Sequence, residues 1–170
     1  MKKYLLLIVV LTGIFTRLAE TKNWFHYTLR DTYTIDYPKR PNTTRPQKNL
    51  VYMVYKTNDK GVNYQYTSSV NEIQESSMPT TAAAGKKLLH KLMNNSVKNN
   101  DATLVSSKDI KMGSYNGVDF EMALNKKPVN LSFRFYIIKK DLVILTVGTP
   151  RAIKSNADIA RFFNSFVWIK

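Results

Sequence analysis

The sequence predicts an α+β domain: a mainly antiparallel sheet of about six or seven strands, packed with two main helices. The order expected is three strands, a helix, four strands and a second helix. Three observations carry this. Runs of alternating apolar and polar residues, such as Val118, Phe120, Met122 and Leu124 interleaved with Asp119 and Glu121, read as half-buried strands. Two stretches, 80–99 and 155–166, place apolar residues at helical spacing instead. Short polar turns join most strands, which favours antiparallel neighbours.

The chain begins Met1-Lys2-Lys3, followed by the apolar run Tyr4 to Leu11, which reaches Phe15 before Arg17 interrupts it. That run is shorter than the roughly 20 residues a spanning helix needs, and it has the dimensions of a secretory signal peptide. Residues 1–21 are therefore read as a signal peptide, with a retained anchor as the alternative because Arg17 spoils the usual small-x-small cleavage pattern. Residues 22–170 then form a single domain, long enough to bury a core of its own. The location expected is periplasmic or secreted. The sequence contains no cysteine, which excludes a lipid-anchored lipoprotein, disulfide stapling and thiolate metal sites.

Tyr33-Thr34-Ile35-Asp36-Tyr37 alternates and stops at Pro38, a short strand. Residues 38–48 hold three prolines and the cations Lys39, Arg40, Arg45 and Lys48, and are expected to form a basic surface loop, because proline lacks the N–H a ladder needs. Residues 50–56 and 62–67 read as a hairpin around Asn58-Asp59-Lys60-Gly61. In the helix expected over 80–99, Ala84, Leu88, Leu89, Leu92, Met93 and Val97 make one apolar stripe. Lys86, Lys87, His90, Lys91 and Lys98 fall mainly on its flanks and opposite side.

Residues 104–112 give the weakest strand pattern in the domain. The strand from Val118 follows, and then Val129, Leu131, Phe133, Phe135 and Ile137 alternate with Asn130, Ser132, Arg134 and Tyr136. Lys139-Lys140-Asp141 is a tight polar turn. Leu142 to Val147 is nearly all apolar, as expected of a central strand covered on both faces. In the last helix Ser155 is placed as N-cap with Asp158 three residues on, and Ile159, Phe162, Phe163 and Phe166 form an aromatic face.

Four segments carry a family resemblance: Tyr33-x-Ile35-x-Tyr37-Pro38, Gly117-Val118-Asp119-Phe120, Arg134-Phe135-Tyr136, and Phe162-Phe163-Asn164-Ser165-Phe166. Over about Asn23 to the C-terminus the chain resembles the PsbP-like fold, shared by photosystem II extrinsic proteins, a Ran-binding nuclear transport factor and many exported bacterial proteins. The resemblance implies a binding or assembly role without catalysis. It transfers no binding residue to this sequence.

No phosphate loop, nucleophile elbow, dinucleotide fingerprint or zinc-protease motif occurs. His26 and His90 have no second histidine nearby, so no metal or cofactor is expected. Asp119 and Glu121 share one strand face about 7 Å apart. They read as a solvated polar face opposite cations such as Arg134, with acid–base work on an envelope glycan as the alternative. Tyr52, Tyr55, Tyr64 and Tyr66 read as sheet packing rather than a base-stacking platform.

The chain carries 26 basic against 12 acidic residues, a net charge of +14, and three of the cations precede residue 22. Such a field favours anionic partners. The function expected is that of an exported, non-catalytic binding or assembly protein. Its candidate surface is Lys39, Arg40, Arg45 and Lys48 with Lys86, Lys87 and Lys91. An envelope component or acidic protein is the expected partner; nucleic acid or anionic lipid is the alternative, and contact with a membrane is expected only through an uncleaved N-terminus.

Overall fold

A computed structural model describes residues 24–47, 50–59, 62–150 and 157–169, with backbone alone over 43–62. The elements run β1 (Phe25–Leu29), β2 (Tyr33–Tyr37), β3 (Asn42–Gln47), β4 (Leu50–Asp59), β5 (Val62–Glu72), α1 (Ala82–Asn99), β6 (Ala102–Met112), β7 (Tyr115–Leu124), β8 (Val129–Ile138), β9 (Asp141–Pro150), α2 (Ala157–Asn164) and β10 (Val167–Trp168). A 3-10 turn, Glu75–Ser77, precedes α1. The α+β class and the antiparallel pairing are as the sequence predicts.

The strand number is matched in part: a sheet of seven strands is present, but its members differ from those expected and a second sheet joins it. Seven strands form one sheet in the order β3-β4-β5-β9-β8-β7-β6, and three more form a separate sheet, β1-β2-β10. The sequence conceals β1 because only Leu29 of its five residues is buried, so no alternation shows, and β10 because two residues are too few to show a period. Within the segment expected to be a loop, residues 42–47 pair with β4, and the register shifts between Thr44 and Gln47, around Pro46. β3 is the sheet's outermost strand, where a missing N–H disrupts no second ladder, so proline is tolerated. Lys48, Ser155 and residues 1–21 lie outside the described residues, as does the Lys60-Gly61 link between Asp59 and its register partner Val62.

The large sheet is covered on both faces. β9 shows why its sequence is nearly all apolar: Val143, Leu145 and Val147 enter one core, and Leu142 and Ile144 pack against the other. On the first face lie the small sheet and α2; on the second lies α1, with Leu89 and Met93 against Val118, Phe120 and Met122 of β7. Thr81 caps α1 by accepting the Ala84 N–H at 3.1 Å.

The four resemblance segments all reach the first core, though Val118, Phe120 and Phe135 turn to the second. Tyr33, Ile35 and Tyr37 are buried there. Phe166 stacks on Tyr33 and Tyr136, with ring centroids at 5.6 and 5.9 Å. Phe162 meets Tyr37 and Tyr66 edge-on, both at 5.3 Å. Gly117 sits opposite Tyr136 across the β7–β8 ladder, and a Cβ there would lie 2.5 Å from the Tyr136 ring. Polar ties complete the seam. The Tyr33 hydroxyl donates to Asp141 at 2.8 Å, Arg30 reaches the same carboxylate at 3.3 Å, and the hydroxyls of Tyr37 and Ser68 share a buried hydrogen bond of 2.8 Å. Burial, reinforced by the hydrogen bond to Asp141, raises the Tyr33 phenol well above its ordinary pKa.

Candidate functional site

The predicted cationic residues fall into two separated groups. Lys39 and Arg40 are exposed in the link from β2 to β3, and Arg45 lies within β3. Lys86, Lys87 and Lys91 are on α1, which packs over β6, β7 and β8 at the other end of the sheet. From β3 to β7 is five strand spacings, about 24 Å. The expected single surface is therefore two, because β9 inserts between β5 and β8 and widens the sheet between them.

Within α1 the cations divide again. Gly85, Leu89 and Met93 are buried. Lys86 and His90, one turn apart, flank that face and both bind Asp109 of β6, His90 through Nε2 at 2.8 Å. The hydrogen bond from Lys86, followed by that from His90, holds the Asp109 carboxyl below its usual range. Lys87, Lys91 and Lys98 lie opposite the buried face, are exposed, and form no ion pair among the described residues. Helical spacing of four and seven residues sets them in one stripe.

β6 adds Lys108 and Lys111, which sequence reasoning did not single out. Eight of its eleven residues are exposed, and among the described residues β7 is its one ladder neighbour. The weak periodicity of 104–112 was the available signal, since a strand buried on neither face needs no alternation. Between α1 and the β6–β7 hairpin lies an open cavity of about 330 Å³ lined by Lys86, Asp109, Ile110, Lys111, Asn116 and Gly117.

Asp119 and Glu121 are less solvated than expected. Asp119 accepts from Arg134 Nε at 2.8 Å, directly across the β7–β8 register. Arg134 in turn donates to Asn164 at 3.0 Å and lies over the Phe163 ring at 5.0 Å. The end of α2 therefore covers this pair. Glu121 accepts from Asn130 at 2.7 Å. His26 binds Asp36 at 2.8 Å, and Tyr64 and Tyr66 are buried, as packing requires. The side chains of Tyr52 and Tyr55 lie outside the described residues. Among the described residues, no group of three or more His, Asp or Glu is placed to hold a metal, and no helix is long and apolar enough to cross a membrane.

No family model and no curated protein sequence matches the chain. Solved structures do. The chain is similar to the solution structure of cyanobacterial PsbP (CyanoP) from Synechocystis sp. PCC 6803, with a TM-score of 0.62 and 11% identity, over 89% of this chain and 95% of that one. It is also similar to PA94 from Pseudomonas aeruginosa, a protein of unknown function titled a putative regulator, with a TM-score of 0.50 and 14% identity over 81% and 86% of the two chains. At such identities the likeness concerns backbone arrangement and not function. This chain has a PsbP-like fold.

Proposed function

We propose that the chain is an exported, non-catalytic binding or assembly protein of the cell envelope, and that it engages an anionic partner through the cationic flank of α1 and β6. The supporting observation is the stripe Lys87, Lys91 and Lys98, exposed and without ion pairs among the described residues. Lys108 and Lys111 stand on the adjoining strand. Acids nearby are already occupied: Asp109 by Lys86 and His90, and Asp101 by Lys126 at 2.9 Å. A field of one sign on a rigid helix steers an oppositely charged partner into contact and sets its orientation.

Glycan hydrolysis through Asp119 or Glu121 draws no support from the geometry, since Arg134 and Asn130 already hold the two carboxylates. Export rests on the sequence of residues 1–21, and mass spectrometry of the mature N-terminus tests it: a chain that keeps Met1 would show retention in place of cleavage. The binding reading is tested by retention of the full chain on an anionic matrix across a salt series. Retention should fall steeply with salt, and Lys87→Glu/Lys91→Glu/Lys98→Glu should elute much earlier. Absent or salt-insensitive retention would contradict it.

A further inference from the structure

We propose that β6 is a docking edge that takes an extended, acidic segment of a partner protein as an added strand. The proposal rests on the anionic-partner reading and specifies the form the partner takes. A terminal strand offers outward N–H and C=O groups on alternate residues, and pairing them gives affinity that is independent of side chains.

The sheet's two ends differ. β3 spans six residues, contains Pro46 and is bulged, all features that spoil a strand as a template. β6 spans eleven residues and is largely exposed. Its one irregularity lies between Leu104 and Ser106, leaving Ser106–Met112 as a regular seven-residue ladder about 23 Å long. At the irregularity Val105 is 55% exposed and Leu104 is also exposed, an apolar contact point at one end of that ladder.

Charge then selects the occupant. Lys108 and Lys111 are the ladder's cations, while its one acid, Asp109, is held by Lys86 and His90. The register puts Lys108 opposite Asp119, on the face toward α2, and Lys111 opposite Asn116, on the face toward α1. An incoming strand with acidic residues therefore finds a cation on either face of the sheet. A second copy of this chain, at a net charge of +14, would bring the same lysines against each other. Edge lysines discourage self-pairing, and the same lysines favour an acidic strand.

The test uses the full chain and a capped peptide of about eight residues alternating Glu and Val. Amide hydrogen exchange by NMR should slow at Ser106–Met112 by about tenfold or more when the peptide is added. N-methylation of the peptide at alternate residues should weaken binding by about tenfold or more, because it removes backbone donors and leaves the charge unchanged. Lys108→Glu/Lys111→Glu should weaken binding about tenfold with an unchanged circular dichroism spectrum. Equal binding of the N-methylated peptide, protection centred outside β6, self-association through β6 without peptide, or the same β6 protection from anionic vesicles or a single-stranded oligonucleotide would each overturn the proposal. If the matrix still retains the chain in those cases, the docking edge alone fails; if retention is also absent, the anionic-partner reading fails with it.

Discussion

The two faces of the large sheet are covered in different ways, and the contrast separates folding from function. Toward α2, Tyr33, Tyr136 and Phe166 stack through the seam between the two sheets, and Phe162 wedges against Tyr37 and Tyr66. Residues far apart in sequence are fixed there by rings and by buried hydroxyls. Toward α1, the core is smaller and mixed, with Leu89, Met93, Met122 and Ile137 around the ring cluster of Phe120, Phe133 and Phe135, and the helix turns a lysine stripe to solvent beside a strand that is mostly exposed. The seam between the two sheets is scaffold; the α1–β6 edge, whose strand is the least regular in sequence, has the free charge and the open backbone.

Breaking the face toward α2 should have the largest effect. Phe162→Ala removes a fully buried ring that touches three others, and should cost about 3–5 kcal/mol in denaturant unfolding. Gly117→Ala sets a methyl against the Tyr136 ring and the Phe135 carbonyl, and should cost about 1–3 kcal/mol in the same measurement. Asp141→Asn weakens the anchor for Arg30 and the Tyr33 hydroxyl, and should cost about 1–3 kcal/mol. The cationic side should behave in the opposite sense. Lys87→Glu/Lys91→Glu/Lys98→Glu should leave unfolding within about 0.5 kcal/mol per substitution, yet shift salt elution strongly.

Titration sharpens the same contrast. The folded pKa of Tyr33 is raised by burial, so its contribution to stability is fully present below the unfolded value near 10 and is lost as pH climbs toward the folded value. Equilibrium unfolding followed from neutral to alkaline pH should show that loss, and Tyr33→Phe should remove this part of it. On the cationic side, Lys86 and His90 depress the Asp109 carboxyl, and Lys126 depresses Asp101. Those contributions are present above the unfolded value of about 4 and disappear as pH falls through the folded ones. Both carboxylates are exposed, so the acid-side effect should be the smallest of all.

Much of the scaffold was legible because period reports burial. Val118, Phe120 and Met122 alternate since β7 buries one face, and β9 is nearly all apolar since it buries two. β1, β3 and β10 were hidden: the first by its exposure, the second by a proline tolerated at an edge, the third by shortness. Strand order was hidden as well. Nothing local states that β9 lies between β5 and β8, and that insertion is what parts Lys39 and Arg40 from Lys86, Lys87 and Lys91. Lys108 and Lys111 went unread because an exposed strand has no pattern to notice.

The central claim is that binding resides on the α1–β6 side and not on the proline-rich link between β2 and β3. The most direct measurement compares two full-length variants on one anionic matrix across one salt series: Lys87→Glu/Lys91→Glu/Lys98→Glu and Lys39→Glu/Arg40→Glu. Scaled to the charges reversed, the helix variant should lose far more retention than the loop variant, with both unfolding as the unmodified chain does. Equal losses per charge, or a greater loss from the loop variant, would contradict the account.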